Sequence, residues 1–249
     1  MREDKDLEFL EKCHDCDLEV LVNILIKDTD GKNRYTEKLT SCEAYKEHAP
    51  QHSKYWKDIA REVQTFGGNT MVNIVRGTGV PYKEVLTDVC DYHKVKYDKN
   101  ASTENIEQLF MLKIFESSLE QMTDEQRTDF LKDQGITSKG LTSPAIMTAV
   151  QLAIKGSSAL SYKFSSVVAN TVLKAMAQRG IIFGANATLA RVATVATGPI
   201  GLAVSGVWSA YELGKPAYRV TVPAVIEIIY LRGKTKSMSH KIKSFFKVW

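Results

Sequence analysis

Residues 140–249 hold thirteen lysines and arginines against two acids, Glu212 and Glu227, whereas residues 1–139 hold 27 acids against 20 bases. A chain divided this way cannot neutralise the cations of its second half from within that half. The split suggests that they meet an anionic surface, lipid or nucleic acid, or pack on the acidic first half. The formal charge of the 249-residue chain, +4, conceals the split.

Apolar residues recur at helical spacing and strand patterns are scarce, so the chain reads as all-α. In the acidic half, Leu7 and Leu10, then Leu18, Leu21, Val22 and Leu25, mark an opening helix or helix pair. Ser53 is the expected N-cap of a helix presenting Trp56, Ile59, Ala60, Val63 and Phe66, which Gly67 ends. Pro81 opens a helix with Tyr82, Val85, Leu86, Val89 and His93 on one side, and Ser102 or Thr103 caps the next. Thr123 and Gln126 have the spacing of a capping box. The stretch GITSKGLTSP has the content of a linker, and the charge composition changes across it. The expected organisation is an acidic multi-helix domain at 1–134, a linker at 135–144, a basic apolar helical region at 145–233 and a basic-aromatic tail at 234–249.

Within the basic region, RVATVATGPIGLAVSGVW is nearly free of charge. Its neighbourhood, residues 181–213, reads as a helical hairpin broken at Gly198 and Pro199. Small residues at Gly180, Gly184, Ala187, Gly201, Ser205 and Ser209 let two helices approach closely. A spanning helix needs about 20 apolar residues. The two arms, 181–197 and 200–213, are shorter, and the first contains Asn186 and Arg191. A double span is therefore disfavoured, leaving a hairpin buried in a bundle or one that docks on a membrane. If the region is packed, Arg191 or Arg219 is expected to pair with Glu212 or Glu227, since an unpartnered buried charge costs several kcal/mol. In the tail, Lys234, Lys236, Lys241, Lys243 and Lys247 suit anionic headgroups and Phe245, Phe246 and Trp249 suit the interface, so these eight are the candidate membrane-binding residues. The same lysines lack the interleaved aromatics and reading modules of nucleic-acid proteins, and no nucleic-acid partner is expected.

Chemistry-bearing constellations are sparse. Cys13 and Cys16 form a C-x-x-C spacing, and Cys42, His48, His52, Cys90 and His93 complete a nominal zinc inventory. They do not form two close pairs, so reduced thiols and no metal are expected. The acid-rich DTDGKNRYTE has its glycine at the wrong place for a calcium loop, and FGGN and RGTG lack a phosphate-binding lysine. No Ser-His-Asp or Glu-x-x-His arrangement stands out. No cofactor is expected, and a non-enzymatic role follows. The charged N-terminus, MREDKDLEFLEKC, lacks the apolar run of a secretory signal, so a cytoplasmic location is expected.

The stretches DLEFLEKCHDCDLEVLVNILIKDTDGK, RGTGVPYKEVL and GPIGLAVSGVWSAYELGKPAYRVTVPAVIEIIYLR resemble the uncharacterised bacterial YaaW-like family. Within it, the middle region has been likened to a ubiquinol-cytochrome c reductase assembly chaperone, a fold-level analogy. The resemblance implies no catalytic residue. The expected function is peripheral association with the inner membrane through the basic C-terminal region, with the N-terminal domain binding a protein partner. The alternative is a soluble chaperone or assembly factor that holds a client helix in an apolar groove.

Overall fold

The structure, a computed structural model, describes residues 3–27, 32–66, 79–133, 143–178 and 218–246. Among them are nine α-helices: α1 (Asp15–Ile26), α2 (Glu43–His48), α3 (Trp56–Gln64), α4 (Tyr82–Tyr92), α5 (Thr103–Glu120), α6 (Asp124–Asp133), α7 (Ser143–Gly156), α8 (Ser158–Gln178) and α9 (Tyr218–Phe246). The described residues contain no strand, only an isolated bridge between Lys27 and Asn33. The all-α expectation holds.

The centre of the fold is α9. Residues 221–232 are buried without interruption, so more than three turns are covered on every face. A helix apolar all round belongs in the middle of a core. It packs most extensively on α8 and also against α1, α4 and the 3-10 turn Glu8–Lys12. At its start Tyr218 stacks on Tyr92 from the end of α4, with ring centroids 4.0 Å apart.

Two apolar cores result. The larger joins Leu7, Leu21, Val85 and Phe110 from the first half to Val172 and Ile226 from the second. The smaller lies under α6 and α7 and includes Phe115, Leu131, Val150 and Phe164. The expected boundary at 135–144 therefore marks a change of composition and not a division of the core. Most of that stretch lies outside the described residues. The expected break at Gly233 is corrected too, because α9 runs through it to Phe246.

The Thr123 amide donates to Gln126 Oε1 at 3.1 Å and the Gln126 amide to Thr123 Oγ1 at 3.2 Å, a complete capping box. Ser102 Oγ accepts from the Asn105 amide and caps α5. Ser53 is not the cap of α3; it lies in the 3-10 turn His52–Tyr55, and its amide donates to Asp15 Oδ1 at 2.7 Å. Gly67 lies outside the described residues, and α3 stops before it at Gln64. The hairpin expected at 181–213 lies outside them too.

Gly79 sits where the chain enters α4 tight against the end of α3. A Cβ there would lie 2.6 Å from the Gln64 carbonyl oxygen, which also accepts the Val80 amide at 3.0 Å. Backbone cannot yield as a side-chain tip can, so Gly79→Ala should cost about 1–3 kcal/mol. A fall in the urea midpoint with unchanged helical circular dichroism checks it.

His93 closes α4 between the rings of Tyr92 and Phe110. Burial pushes its imidazole down to about 4. The fold therefore favours neutral imidazole, and this contribution is complete above the unfolded value near 6.5 and lost as pH falls toward 4. Replacing His93 with Phe should flatten the decline of thermal stability between pH 6.5 and 4.

Candidate functional site

Where the buried half of α9 ends, three cations follow at alternate positions, and each meets an acid from the first half of the chain. Arg232 is only 9% exposed. Its Nε donates to Glu107 of α5, at 2.9 Å to Oε2 and 3.2 Å to Oε1. Its Nη2 donates to the Asp6 carbonyl at 2.7 Å, and its guanidinium lies 4.4 Å from the centre of the Phe9 ring. Lys234 Nζ reaches both Asp17 carboxylate oxygens, at 2.6 and 2.7 Å. Lys236 Nζ lies 2.6 Å from Glu104 Oε2. Glu104 and Glu107 are three apart on α5, and Lys236 and Arg232 four apart on α9. Each pair lies on one side of its helix, and the two form an ion-pair ladder with opposed chain directions.

The floor of the ladder is completed by Tyr82 of α4, whose hydroxyl donates to Glu107 Oε1 at 2.9 Å. Burial raises the Glu107 carboxyl above its ordinary value, with Arg232 and the two hydrogen bonds pulling the other way. Burial also opposes charge on Arg232, but the Glu107 carboxylate more than offsets it and holds the guanidinium protonated. Burial and the neighbouring Glu107 push the Tyr82 phenol far up. Arg232 and the Tyr82 phenol hold their protons, and both Glu107 oxygens are already engaged by these two groups, which suits an anchor.

Residues 4–17 supply much of what surrounds this anchor. Asp4 Oδ2 accepts the Tyr82 amide at 2.6 Å and Gln64 Nε2 at 3.2 Å, placing a carboxylate at the first turn of α4. Asp6 Oδ2 accepts the Thr103 hydroxyl at the start of α5. Asp6 backbone, Phe9 and Asp17 reach α9 itself.

A cavity of about 80 Å³ opens beside the ladder, between α5, α7, α8 and α9, with Glu104, Glu107, Arg232, Gly233 and Lys236 in its wall. Sites for cofactors and drug-sized ligands run to about 300–1,000 Å³. This one is smaller.

Of the eight tail residues expected at a membrane, Lys234 and Lys236 have their ammonium groups against Asp17 and Glu104. Lys241, Lys243, Phe245 and Phe246 lie on α9, with backbone positions described but not their side chains. Lys247 and Trp249 lie outside the described residues. Of the expected buried pair, Arg191 and Glu212 lie outside them. Arg219 is exposed and Glu227 buried. Eight residues of helix separate those two by about 12 Å along the axis, too far for a direct pair.

The acids that hold α9 come from the acidic half of the chain and not from the two acids of the basic half. Arg232 carried a usable signal: it closes the apolar run VIEIIYL, where a cation must find a distant acid. The cysteines are scattered. Cys13 and Cys90 are buried, which pushes their thiols up to about 11 and about 12, whereas Cys16 is exposed and Cys42 half-buried. Among the described residues no three His, Cys, Asp or Glu side chains are grouped to hold a metal ion. None of the described helices is long and apolar enough to cross a membrane.

Comparison with known proteins identifies the relatives. The chain is 40% identical over 242 residues to a UPF0174 protein of Helicobacter pylori strain J99, covering 97% of this chain and 96% of that one. It is also 32% identical over 234 residues to the UPF0174 protein YaaW of Escherichia coli K12, covering 92% and 94%. The chain belongs to the UPF0174 family. Within this UPF0174 protein, residues 1–35 match a family model described as "Domain of unknown function (DUF3944)". That span contains Asp4, Asp6, Phe9 and Asp17, the residues that reach α4, α5 and α9. No solved structure matches the chain.

The anchor makes a graded prediction. Glu107→Gln strands a buried guanidinium beside a neutral amide and should cost about 3–5 kcal/mol. Tyr82→Phe removes one hydrogen bond to an acid that keeps its cation, and should cost about 1–2 kcal/mol. Urea unfolding of the two variants reads the difference directly.

Proposed function

We propose that the protein is a non-enzymatic helical scaffold that docks peripherally on an anionic membrane face through the end of α9. The acidic N-terminal helices are left to hold a protein partner. The location this implies is the cytoplasmic face of the inner membrane.

The observation that carries the reading is Met238. It lies just past the last ion pair and is 42% exposed, a large apolar side chain in the open on a helix whose preceding residues are buried. From it, Ile242, Phe245 and Phe246 follow on α9 at i+4, i+7 and i+8, the spacing of one apolar stripe. Lys243 falls on the opposite side of the register. An apolar stripe with a basic polar face is the pattern of a helix that lies in the plane of a membrane interface. Each lysine near such a surface adds about 1 kcal/mol, screened by salt. Phenol and thiol groups held protonated by burial support a role without catalysis.

Vesicle flotation tests this. Full-length protein should float with vesicles containing phosphatidylglycerol, should stay down with phosphatidylcholine alone, and should be released by about 0.5 M salt. A chain ending at Ser237 keeps Lys234 and Lys236 in their pairs and should fold but not float. Full-length protein that never floats, or a shortened chain that floats equally well, overturns the proposal.

A further inference from the structure

Residues 42–55 are lightly held. α2 has no buried residue, and its half-buried Tyr45 packs edge-on against Tyr55, with ring centroids 5.5 Å apart. The stretch is fastened by the 3-10 turn His52–Tyr55, which packs on α1, α2, α3 and the Glu8–Lys12 turn. Two side chains of that turn are buried, Tyr55 and His52, the latter 5% exposed. A hydrogen bond between His52 Nδ1 and the Tyr55 hydroxyl joins them. The Ser53 amide, on Asp15 Oδ1, ties the turn to the start of α1. A segment with so few buried contacts can open by itself, at less cost than global unfolding.

The second nitrogen of the His52 ring, Nε2, is buried and has no hydrogen-bond partner among the described residues. In the imidazolium both ring nitrogens carry a proton, so protonation would put a charged N–H in the core with nothing to accept it. The surrounding groups do not remove that cost. From α1 the Asp15 carboxylate attracts the charge, and from its own turn Tyr55 offers a phenol. From α2 the Tyr45 phenol lies against Tyr55, while α3 and the Glu8–Lys12 turn bring no charge that acts on the ring. Burial outweighs Asp15 and pushes the imidazole below its ordinary value of 6.5.

We propose that His52 is an acid-sensitive latch: protonation of its ring frees residues 42–55 from α1 while the central helices stay folded. The closed ring holds a proton less tightly than the released one. The latch is therefore fully closed above pH 6.5, loosens as pH falls, and stops loosening once the closed ring itself takes up a proton. Release brings Tyr55 to the surface beside Tyr45, in the acidic half of the chain. The latch acts independently of membrane docking.

Amide hydrogen exchange of the full-length protein, corrected for the intrinsic effect of pH, tests this. Between pH 7.5 and pH 5, peptides spanning 42–55 should lose about threefold or more of their protection. Sub-denaturing urea should leave their exchange unchanged while it speeds that of the buried part of α9, the mark of local opening. The loss should persist in His93→Phe, which removes the other buried imidazole, and vanish in His52→Phe. The double variant His52→Phe with Tyr55→Phe keeps both rings without stranding a hydroxyl, and should show the same insensitivity to pH. Protection of 42–55 that does not fall, a fall retained in the two His52 variants, or a urea dependence equal to that of α9 overturns the proposal.

Discussion

The guanidinium of Arg232 is the interaction on which the rest of the described structure depends. Taking such a charge out of water costs several kcal/mol, and attraction repays it only when geometry is good and the remaining valences are used. Here a carboxylate, a backbone carbonyl and an aromatic face share the task, and each comes from a different element: Glu107 from α5, the Asp6 carbonyl from the N-terminal segment, Phe9 from the first 3-10 turn. Removing any of these elements would leave a charge in the core. Three parts of the chain are thereby tied to a single side chain on the central helix.

The same solution occurs a second time. Arg34 pairs with Glu62 of α3 at 3.3 Å, donates from Nε to the Leu25 carbonyl at 2.8 Å, and lies 4.5 Å from the centre of the Phe66 ring. Glu62 also accepts the Lys38 amide, and burial raises its carboxyl as it does that of Glu107. Arginine suits both places because its planar fork can serve a carboxylate and a carbonyl while its face stacks on a ring, which an ammonium cannot do. One anchor fastens the end of α1 to α3; the other fastens α9 to α5 and the N-terminal segment. The charge split along the sequence is thus resolved in part within the molecule, acids of the first half against cations of α9, and this is why the composition boundary does not divide the core.

What could be read from sequence followed the range of the interaction. The capping box at Thr123 and Gln126 and the cap at Ser102 involve neighbours three residues apart, so side-chain chemistry and spacing sufficed. The apolar stripe of α4, from Tyr82 to Val89, was legible for the same reason. The partners of α9 were not, because Lys234 finds Asp17 and Arg232 finds Glu107 across 217 and 125 residues, and nothing local singles out one acid among 27. Packing on the acidic half was one of the options the charge split left open; which acids would serve depended on how α5 and α9 cross. The tail lysines were read as a group, yet Lys234 and Lys236 belong to the anchored part of the helix. Their sequence neighbourhood gives no hint of this, since the change from buried to exposed falls between residues of like character.

That change carries the geometry of the whole C-terminal end. Lys234 meets Asp17 in the first turn of α1, and Lys236 meets Glu104 in the first turn of α5, so the two helices that cover α9 here both begin at this level. Two residues of α-helix turn the chain through about 200°. With Lys236 held toward α5 by Glu104, Met238 must face away from α5, and its exposure follows from the register of a helix whose preceding turns are fixed in the core. Because α9 is continuous through Gly233, the orientation set by Arg232 and Lys236 passes along the backbone to the positions of Ile242 and Phe245. A flexible tail would lose the stripe to conformational averaging. A helix paired at three alternate cations keeps it on one side, and the buried Arg232–Glu107 pair gives the far end its direction.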